Sequence, residues 1–419
     1  MKTVKKWLIK LCSITPFTKQ LAIWASEFIK KIIYRFFFRT KYKVDDKLIL
    51  FEAYMGEQVS CSPKALYEEM KKDVRYKNYI KVWALKNPQA YQILESDENT
   101  ILVKHGSSEY YKYCAMAKCW ITNSRMPRCL EVKPEQKYIQ CWHGTPLKRL
   151  GYDIECYCGT KSATKEMRKT YRMDAKRYSA ILSPSAFCTE KLTSAFNLKA
   201  LGKDNIFIQK GYPRNDFLYS YTPEDAEQIK TKLSIPKDKK VILYAPTYRE
   251  NQHEAGAGYV YDLKIDFDRL LECLGEEYVI LFRTHYFVSS RFDFEKYNGF
   301  IIDVSRYDDI NHLYVVSDLL VTDYSSVMFD YANLKRPMIF YMYDMEEYKE
   351  DMRGFYIDLE ELPGEIVQKE VELIQAIKET SQGSIKYHEK YQKFNSKYNP
   401  YANVCSSEVL EEIFDIIYN

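Results

Sequence analysis

The sequence contains no G-x-x-x-x-G-K-[ST] loop, no G-x-G-x-x-G after a strand and no H-E-x-x-H. These absences remove the usual signatures of P-loop nucleotidases, dinucleotide-binding enzymes and zinc proteases. No internal repeat or low-complexity segment is visible. The N-terminus has no clean apolar run ending in a small-residue cleavage site, so no secretory signal is expected. Its longest charge-free stretch within residues 1–43 is Leu11 to Thr18, far short of the roughly 20 apolar residues a membrane span needs. The eleven cysteines are scattered without regular spacing, which predicts reduced thiols in the cytoplasm rather than a disulfide framework. Cys156 and Cys158 lack a second pair at zinc spacing, and no metal site is expected there.

What is present is a chain of 419 residues, long enough at roughly 150 residues per domain for two or three cores. With 46% hydrophobic and 29% charged residues, it has an ordinary globular composition. The formal charge of +4 hides an asymmetry. Residues 1–43 hold eleven Lys or Arg and one acid, Glu27, leaving the body with 51 basic and 57 acidic residues. A mildly acidic body argues against nucleic-acid binding. In the basic head, Phe17, Leu21, Trp24, Ala25, Phe28, Ile29, Ile32, Ile33 and Phe36 recur at helical steps, interrupted by Lys19, Lys30, Lys31 and Arg35. That pattern predicts helices lying on an anionic membrane surface; packing on the body is the other reading, and the two can coexist.

From residue 47 onward, short β-rich runs alternate with helical segments. A first series runs Leu48–Tyr54, Ile80–Leu85, Ile101–Lys104, Cys119–Thr122 and Tyr138–Trp142. A second begins with Ile206–Gln209 and continues through Val241–Ala245, Tyr278–Phe282, Phe300–Val304, Leu319–Val321 and Met338–Tyr341, with a helix at Ser326–Leu334. Strand and helix alternating twice over predicts an α/β protein of two doubly wound domains. The expected divisions are a basic amphipathic segment (1–43), a first domain (44–215), a second domain (216–400) and a final helix (401–419).

In open α/β sheets, ligands bind beyond the carboxyl ends of strands. Four such ends carry polar clusters: Gln140 to Pro146, Tyr244 to Arg249, Phe282 to His285, and Val321 to Ser326. One comes from the first domain and three from the second, the layout of an interdomain site. Asp323-Tyr324-Ser325-Ser326 before a helix suits a phosphate, and Arg283 and Arg249 at adjacent strand ends strengthen that reading. His143 and His285 follow strands directly and are candidates for proton transfer, whereas His105, His253, His312 and His388 read as structural. Asp266-Phe267-Asp268 has the form of a metal-diphosphate motif but reads better as a helix start.

The run Trp142 to Asp153, with Gly211 to Asp216, Ala245 to Arg249 and Thr322 to Ser326, resembles the CDP-glycerol glycerophosphotransferase family of teichoic acid synthesis. The resemblance implies a GT-B-like fold of two Rossmann-type domains, a CDP-glycerol or CDP-ribitol donor in the cleft, and a polyprenyl-diphosphate-linked saccharide acceptor at the cytoplasmic membrane face. It implies donor contacts from Trp142, His143, Gly144, Thr145, Pro146, Arg214, Pro246, Thr247, Arg283, Thr284, His285, Ser325, Ser326 and Asp330. Tyr286 departs from the family's usual Pro, and the absence of a long N-terminal extension suggests a short, primase-like member rather than a polymerase. The expected chemistry is attack of an acceptor hydroxyl on the glycerol-bearing phosphorus with release of CMP. His143 would act as base, with His285 and Arg283 stabilising charge and no cofactor or metal. Rival expectations are a GT-B nucleotide-sugar glycosyltransferase and a non-catalytic nucleotide-binding module at the membrane.

Overall fold

The structure, a computed structural model, describes residues 16–157, 161–247, 253–254, 258–259, 265–284, 294–346, 354–380 and 387–418. Two parallel sheets organise it. The first contains β1 (Asp45–Glu52), β2 (Ile80–Leu85), β3 (Thr100–Lys104), β4 (Ala117–Thr122), β5 (Lys137–Gln140), β6 (Ala180–Leu182) and β7 (Phe207–Ile208), in the order β3-β2-β1-β4-β5-β6-β7. The second contains β8 (Lys240–Ala245), β9 (Tyr278–Phe282), β10 (Ile301–Asp303), β11 (Leu319–Thr322), β12 (Met338–Tyr341) and β13 (Glu365–Val367), in the order β10-β9-β8-β11-β12-β13. These are the two doubly wound domains that strand and helix alternation predicts.

Both faces of each sheet are covered, so the central strands are almost continuously apolar instead of alternating. In β1, Leu48 and Leu50 point into one core cluster while Ile49 and Phe51 point into the opposite one. In β8, Val241 and Leu243 split from Ile242 and Tyr244 in the same way.

Six helices bear on function: α1 (Pro16–Tyr34), α2 (Cys61–Lys72), α3 (Lys161–Ala175), α4 (Ala186–Ala195), α5 (Val327–Tyr331) and α6 (Ser406–Tyr418). The expected helix start at Ser183-Pro184-Ser185 is present, with Ser185 Oγ accepting the Cys188 amide at 3.2 Å. The tail helix α6 returns to the first domain, where Val409, Leu410, Ile413 and Ile417 close the core beneath Ile49 and Phe51. Its entry is fixed by the Cys405 and Ser406 amides, which donate to Asp216 at 2.9 and 2.8 Å.

Three expectations change. The run at 206–209 belongs to the first sheet, as β7 pairs parallel with β6 through Ile181 and Phe207; a two-residue strand carries no signal of which sheet it joins. The helix expected over 326–334 is a five-residue α5 followed by a tighter turn over Ala332–Leu334. The head helix ends at Tyr34 and continues as a π-helical turn, Arg35–Arg39. That wider turn changes the residue phase, and Tyr34 is buried while its stacking partner Phe38 packs on the same core.

The domains meet through backbone as well as side chains. The first-domain segment 147–149 forms an antiparallel bridge with 354–356: Arg149 N donates to Gly354 O at 3.0 Å and Tyr356 N to Leu147 O at 2.8 Å. Gly151, just beyond, adopts φ +50°, and a Cβ there would sit 2.1 Å from Ala195 O. Gly151→Ala is therefore expected to cost at least roughly 1–3 kcal/mol from backbone strain, measured as a lowered midpoint in urea unfolding.

Candidate functional site

A cavity of about 370 Å³ lies between the two domains at the carboxyl ends of β5, β8 and β11. Its wall includes Trp142, His143, Gly144, Thr145 and Pro146 from the first domain, and Pro246, Thr247, Ser325 and Ser326 from the second. Nine residues expected from the sequence thus share one cavity. The gap is narrow at Gly144, where a Cβ would lie 3.2 Å from Ser326 Oγ. A Cβ at 144 would press on that hydroxyl, which would have to give by a few tenths of an ångström.

The loop after β5 is held in a costly conformation. Trp142 has φ 51°, a left-handed value rare for a bulky side chain. It is retained by Gln140 Oε1, which accepts the Trp142 amide at 2.9 Å, and by edge packing of the indole on Phe196. The indole stacks on the imidazole of His143 with centroids 4.3 Å apart. Tyr54, Met55 and Cys61, which border the same region, also have positive φ. Such strain concentrates where geometry serves function.

His143 Nδ1 lies 2.9 Å from the backbone oxygen of Asn123. A carbonyl only accepts, so Nδ1 carries the proton and Nε2 is the basic nitrogen. The residue is exposed to the cleft, and the walls of the two domains crowd it enough to penalise a charge there. That desolvation is the main cause that pushes its pKa down to about 4; the Asn123 bond opposes it, and the charges of Arg214 and Arg125 add to it. The ring is neutral near pH 7 and can accept a proton.

Arg214 and Asp330 are brought together as a buried ion pair across the domains. Nη2 of Arg214 donates to both carboxylate oxygens at 2.8 and 2.6 Å, and Nη1 donates to His143 O at 2.6 Å. Asn215 Nδ2 adds a bond to Asp330 at 2.9 Å, and Asn311 Nδ2 donates to Arg214 O. These contacts fix the loop that bears His143.

On the second domain, Asp323 accepts the Thr247 amide at 2.8 Å and Thr322 Oγ1 donates to Ala245 O at 2.7 Å, which locks the ends of β8 and β11 together. Ser325 and Ser326 precede α5 and present hydroxyls at the cavity wall. Arg283 is tied down by Nη1, which donates to Val304 O and Tyr307 O at 3.0 and 2.7 Å. The Thr284 amide donates to Ser305 Oγ at 3.2 Å. Among the described residues, neither lines the cavity. His285, Tyr286, Tyr248 and Arg249 lie outside the described residues, as does Cys158. The pair Asp266 and Asp268 serves a helix start: Asp266 caps it, and Asp268 bonds Lys296 at 2.6 Å.

Asn123 and Tyr54 carry no mark in the sequence motifs. Asn123 sits at the carboxyl end of β4, within Thr122-Asn123-Ser124, so the strand-end search that found His143 would have found it. The Tyr54 ring, 6.3 Å from that of His143, follows β1 in the same manner.

Removing one member of a buried ion pair leaves an uncompensated charge. Asp330→Ala is expected to destabilise the protein by about 3–5 kcal/mol, read from chemical unfolding, and to release the loop that bears His143.

The geometry can be set beside known proteins. Residues 32–415 match the model of the CDP-Glycerol:Poly(glycerophosphate) glycerophosphotransferase family. The chain is 39% identical over 381 residues to a teichoic acid glycerol-phosphate transferase of Staphylococcus aureus, covering 88% of this chain and 95% of that one. It is 39% identical over 378 residues to a teichoic acid poly(glycerol phosphate) polymerase of Staphylococcus epidermidis; this covers 90% of this chain, which spans only about half (51%) of that relative. A solved structure of the wall teichoic acid polymerase TagF superposes with a TM-score of 0.83 at 36% identity, covering 95% of this chain and 96% of that one. Two doubly wound domains, a histidine loop facing paired serines across a cleft, and a match over nearly the whole described fold agree: the chain belongs to the CDP-glycerol:poly(glycerophosphate) glycerophosphotransferase family.

Proposed function

We propose that the protein transfers glycerol phosphate from CDP-glycerol to a polyprenyl-diphosphate-linked saccharide acceptor at the cytoplasmic face of the membrane, releasing CMP, in teichoic acid biosynthesis. The observation that carries this reading is the neutral His143, with Nε2 free for a proton, facing Ser325 and Ser326 across the cavity in a member of this family.

In this mechanism an acceptor hydroxyl oxygen attacks the glycerol-bearing phosphorus. The new P–O bond forms as the bond to the bridging diphosphate oxygen breaks, and CMP leaves with that oxygen. The hydroxyl proton passes to Nε2 of His143. The hydroxyls of Ser325 and Ser326 and the amide groups at the start of α5 serve the phosphoryl oxygens. Arg214 and Asp330 act by positioning, since they hold the His143 backbone and each other.

Membrane docking through α1 is supported by its exposed face. Trp24, Phe28 and Ile29 on α1, and Phe36 and Phe37 in the π-helical turn that continues it, are each more than half exposed, too much apolar surface to leave in water without a use. Among the described residues no helix is long and apolar enough to cross a bilayer. An interfacial helix fits these features. The helix attaches to the body by its cations: Lys31, Arg35 and Arg39 converge on Glu131 at 3.2, 3.1 and 3.6 Å.

The direct test is CMP release from CDP-glycerol that depends on a short-chain lipid-linked acceptor, with product mass separating a single addition from a ladder. In that assay His143→Ala is expected to lower kcat by about 10²–10⁴-fold, and a folded variant that keeps more than about a tenth of the rate removes His143 from the base role. Because the histidine's pKa lies below its ordinary value, the basic form persists in mild acid. The acid limb of the kcat/KM profile is expected as pH falls through about 4 rather than near 6.5; a limb at the ordinary position would contradict the assignment.

A further inference from the structure

Helix α3 displays an uninterrupted cationic stripe. Lys161, Lys165, Lys169 and Arg172 on the helix, and Lys176 in the turn just beyond its end, are all exposed, and continuing the helix at 100° per residue they fall within an arc about 80° wide. Residues 161–177 hold seven Lys or Arg against two acids, Glu166 and Asp174. Both acids are engaged: Asp174 by the mostly buried Arg177, and Glu166 by Arg128 at 3.0 Å and Lys169 at 3.8 Å. Among the described residues, no ion pair engages Lys161, Lys165, Arg172 or Lys176. Like charges at these spacings repel, so such a face is costly unless an anion covers it.

Two cavities flank the stripe. One of about 600 Å³ runs along Lys165, Arg168 and Arg172 and begins at Tyr152, in the segment that follows the His143 loop. The other, of about 1050 Å³, shares Lys176 with it and extends past Arg128 to Arg125. Arg125 lies over the ring of Tyr171 on α3, 5.0 Å from its centroid, and its charge is felt at His143. The cations therefore run along about 22 Å of helix, and one end of the first cavity lies at Tyr152, nine residues beyond His143.

We propose that this face is a track for an oligo(glycerol phosphate) chain, the polyanion carried by an acceptor that has already been extended. The proposal rests on the transfer function above for the identity of the acceptor. Successive phosphates in such a chain are six bonds apart, roughly 7 Å when extended, and the cations recur every three or four residues, about 4.5–6 Å along the helix. A chain somewhat short of full extension brings its phosphates to the spacing of the cations, so that one chain can lie along the stripe. Its phosphates would be neutralised in series and its reactive end delivered past Arg125 to His143. Anionic lipid headgroups present related chemistry, and the second cavity is walled in part by Lys30 and Lys31 of α1, so the vesicle arm of the test below separates the two sources.

The test is fluorescence anisotropy of a labelled, lipid-free oligo(glycerol phosphate) on the full chain, titrated at several salt concentrations. The triple variant Lys165→Glu, Arg172→Glu, Lys176→Glu is expected to bind at least about tenfold more weakly, with a shallower dependence on salt. The corresponding Gln variant should fall between. Lys237→Glu, at an exposed site in the second domain, should bind as wild type. Sedimentation with phosphatidylglycerol vesicles should be unchanged in all of them. Equal oligomer affinity for wild type and the folded triple variant overturns the track, and loss of vesicle sedimentation with oligomer affinity intact assigns the stripe to lipid instead. Absence of acceptor-dependent CMP release by the wild-type protein overturns the transfer reading; CMP release without a binding difference overturns the track alone.

Discussion

The buried pair of Arg214 and Asp330 is the contact on which the site depends. Taking both charges out of water is expensive, and the cost is recovered only when the full set of partners is in place. Those partners are spread over the molecule: His143 O from the first domain, and Asn215 and Asn311 on either side of the interface. The pair therefore favours one arrangement of the domains over others, and in it the Trp142–His143 loop faces Ser325 and Ser326. The backbone bridge between 147–149 and 354–356 acts in the same sense.

Within that frame, the histidine is tuned by withdrawal of water more than by any charge. A carboxylate partner would raise its basicity and hold it protonated, whereas the Asn123 carbonyl orients the ring while leaving it neutral. The positive φ values at Tyr54, Met55, Cys61 and Trp142 are the accompanying cost. They are tolerated because the carboxyl-terminal halves of β1, β4 and β5, from which this region springs, are buried.

How far the sequence could be read follows from which interactions are local. Strands β2 and β8 were legible because runs of four and five consecutive apolar residues, Val82–Leu85 and Val241–Ala245, admit little else, and the cavity was legible because strand ends carry ligand-binding residues in any parallel sheet. Helix α3 went unrecognised: its exposed face is so dense in Lys and Arg that few apolar residues remain to mark a period. Strand β6 is three residues long and β7 two, too short to display one. The pairing of Arg214 with Asp330 joins residues 116 apart in sequence. Each was recognised through a motif, but that they meet each other depends on how two domains dock. The same holds for Arg283, whose sequence position suggested a clamp on phosphate and whose guanidinium is partly committed to two carbonyls of its own domain.

Glu131 gives the head a mechanical meaning. One carboxylate gathers three cations from successive turns of α1 and its π-helical extension, while Tyr34 is sunk in the core of the first domain. The helix is thus not a tether but a fixed outrigger whose angle to the sheet is set. Under the proposed membrane docking, a rigid outrigger works as a ruler. It would hold His143 at one height above the bilayer, so that acceptors would be sorted by the reach of their reactive hydroxyl from the lipid anchor as well as by their chemistry.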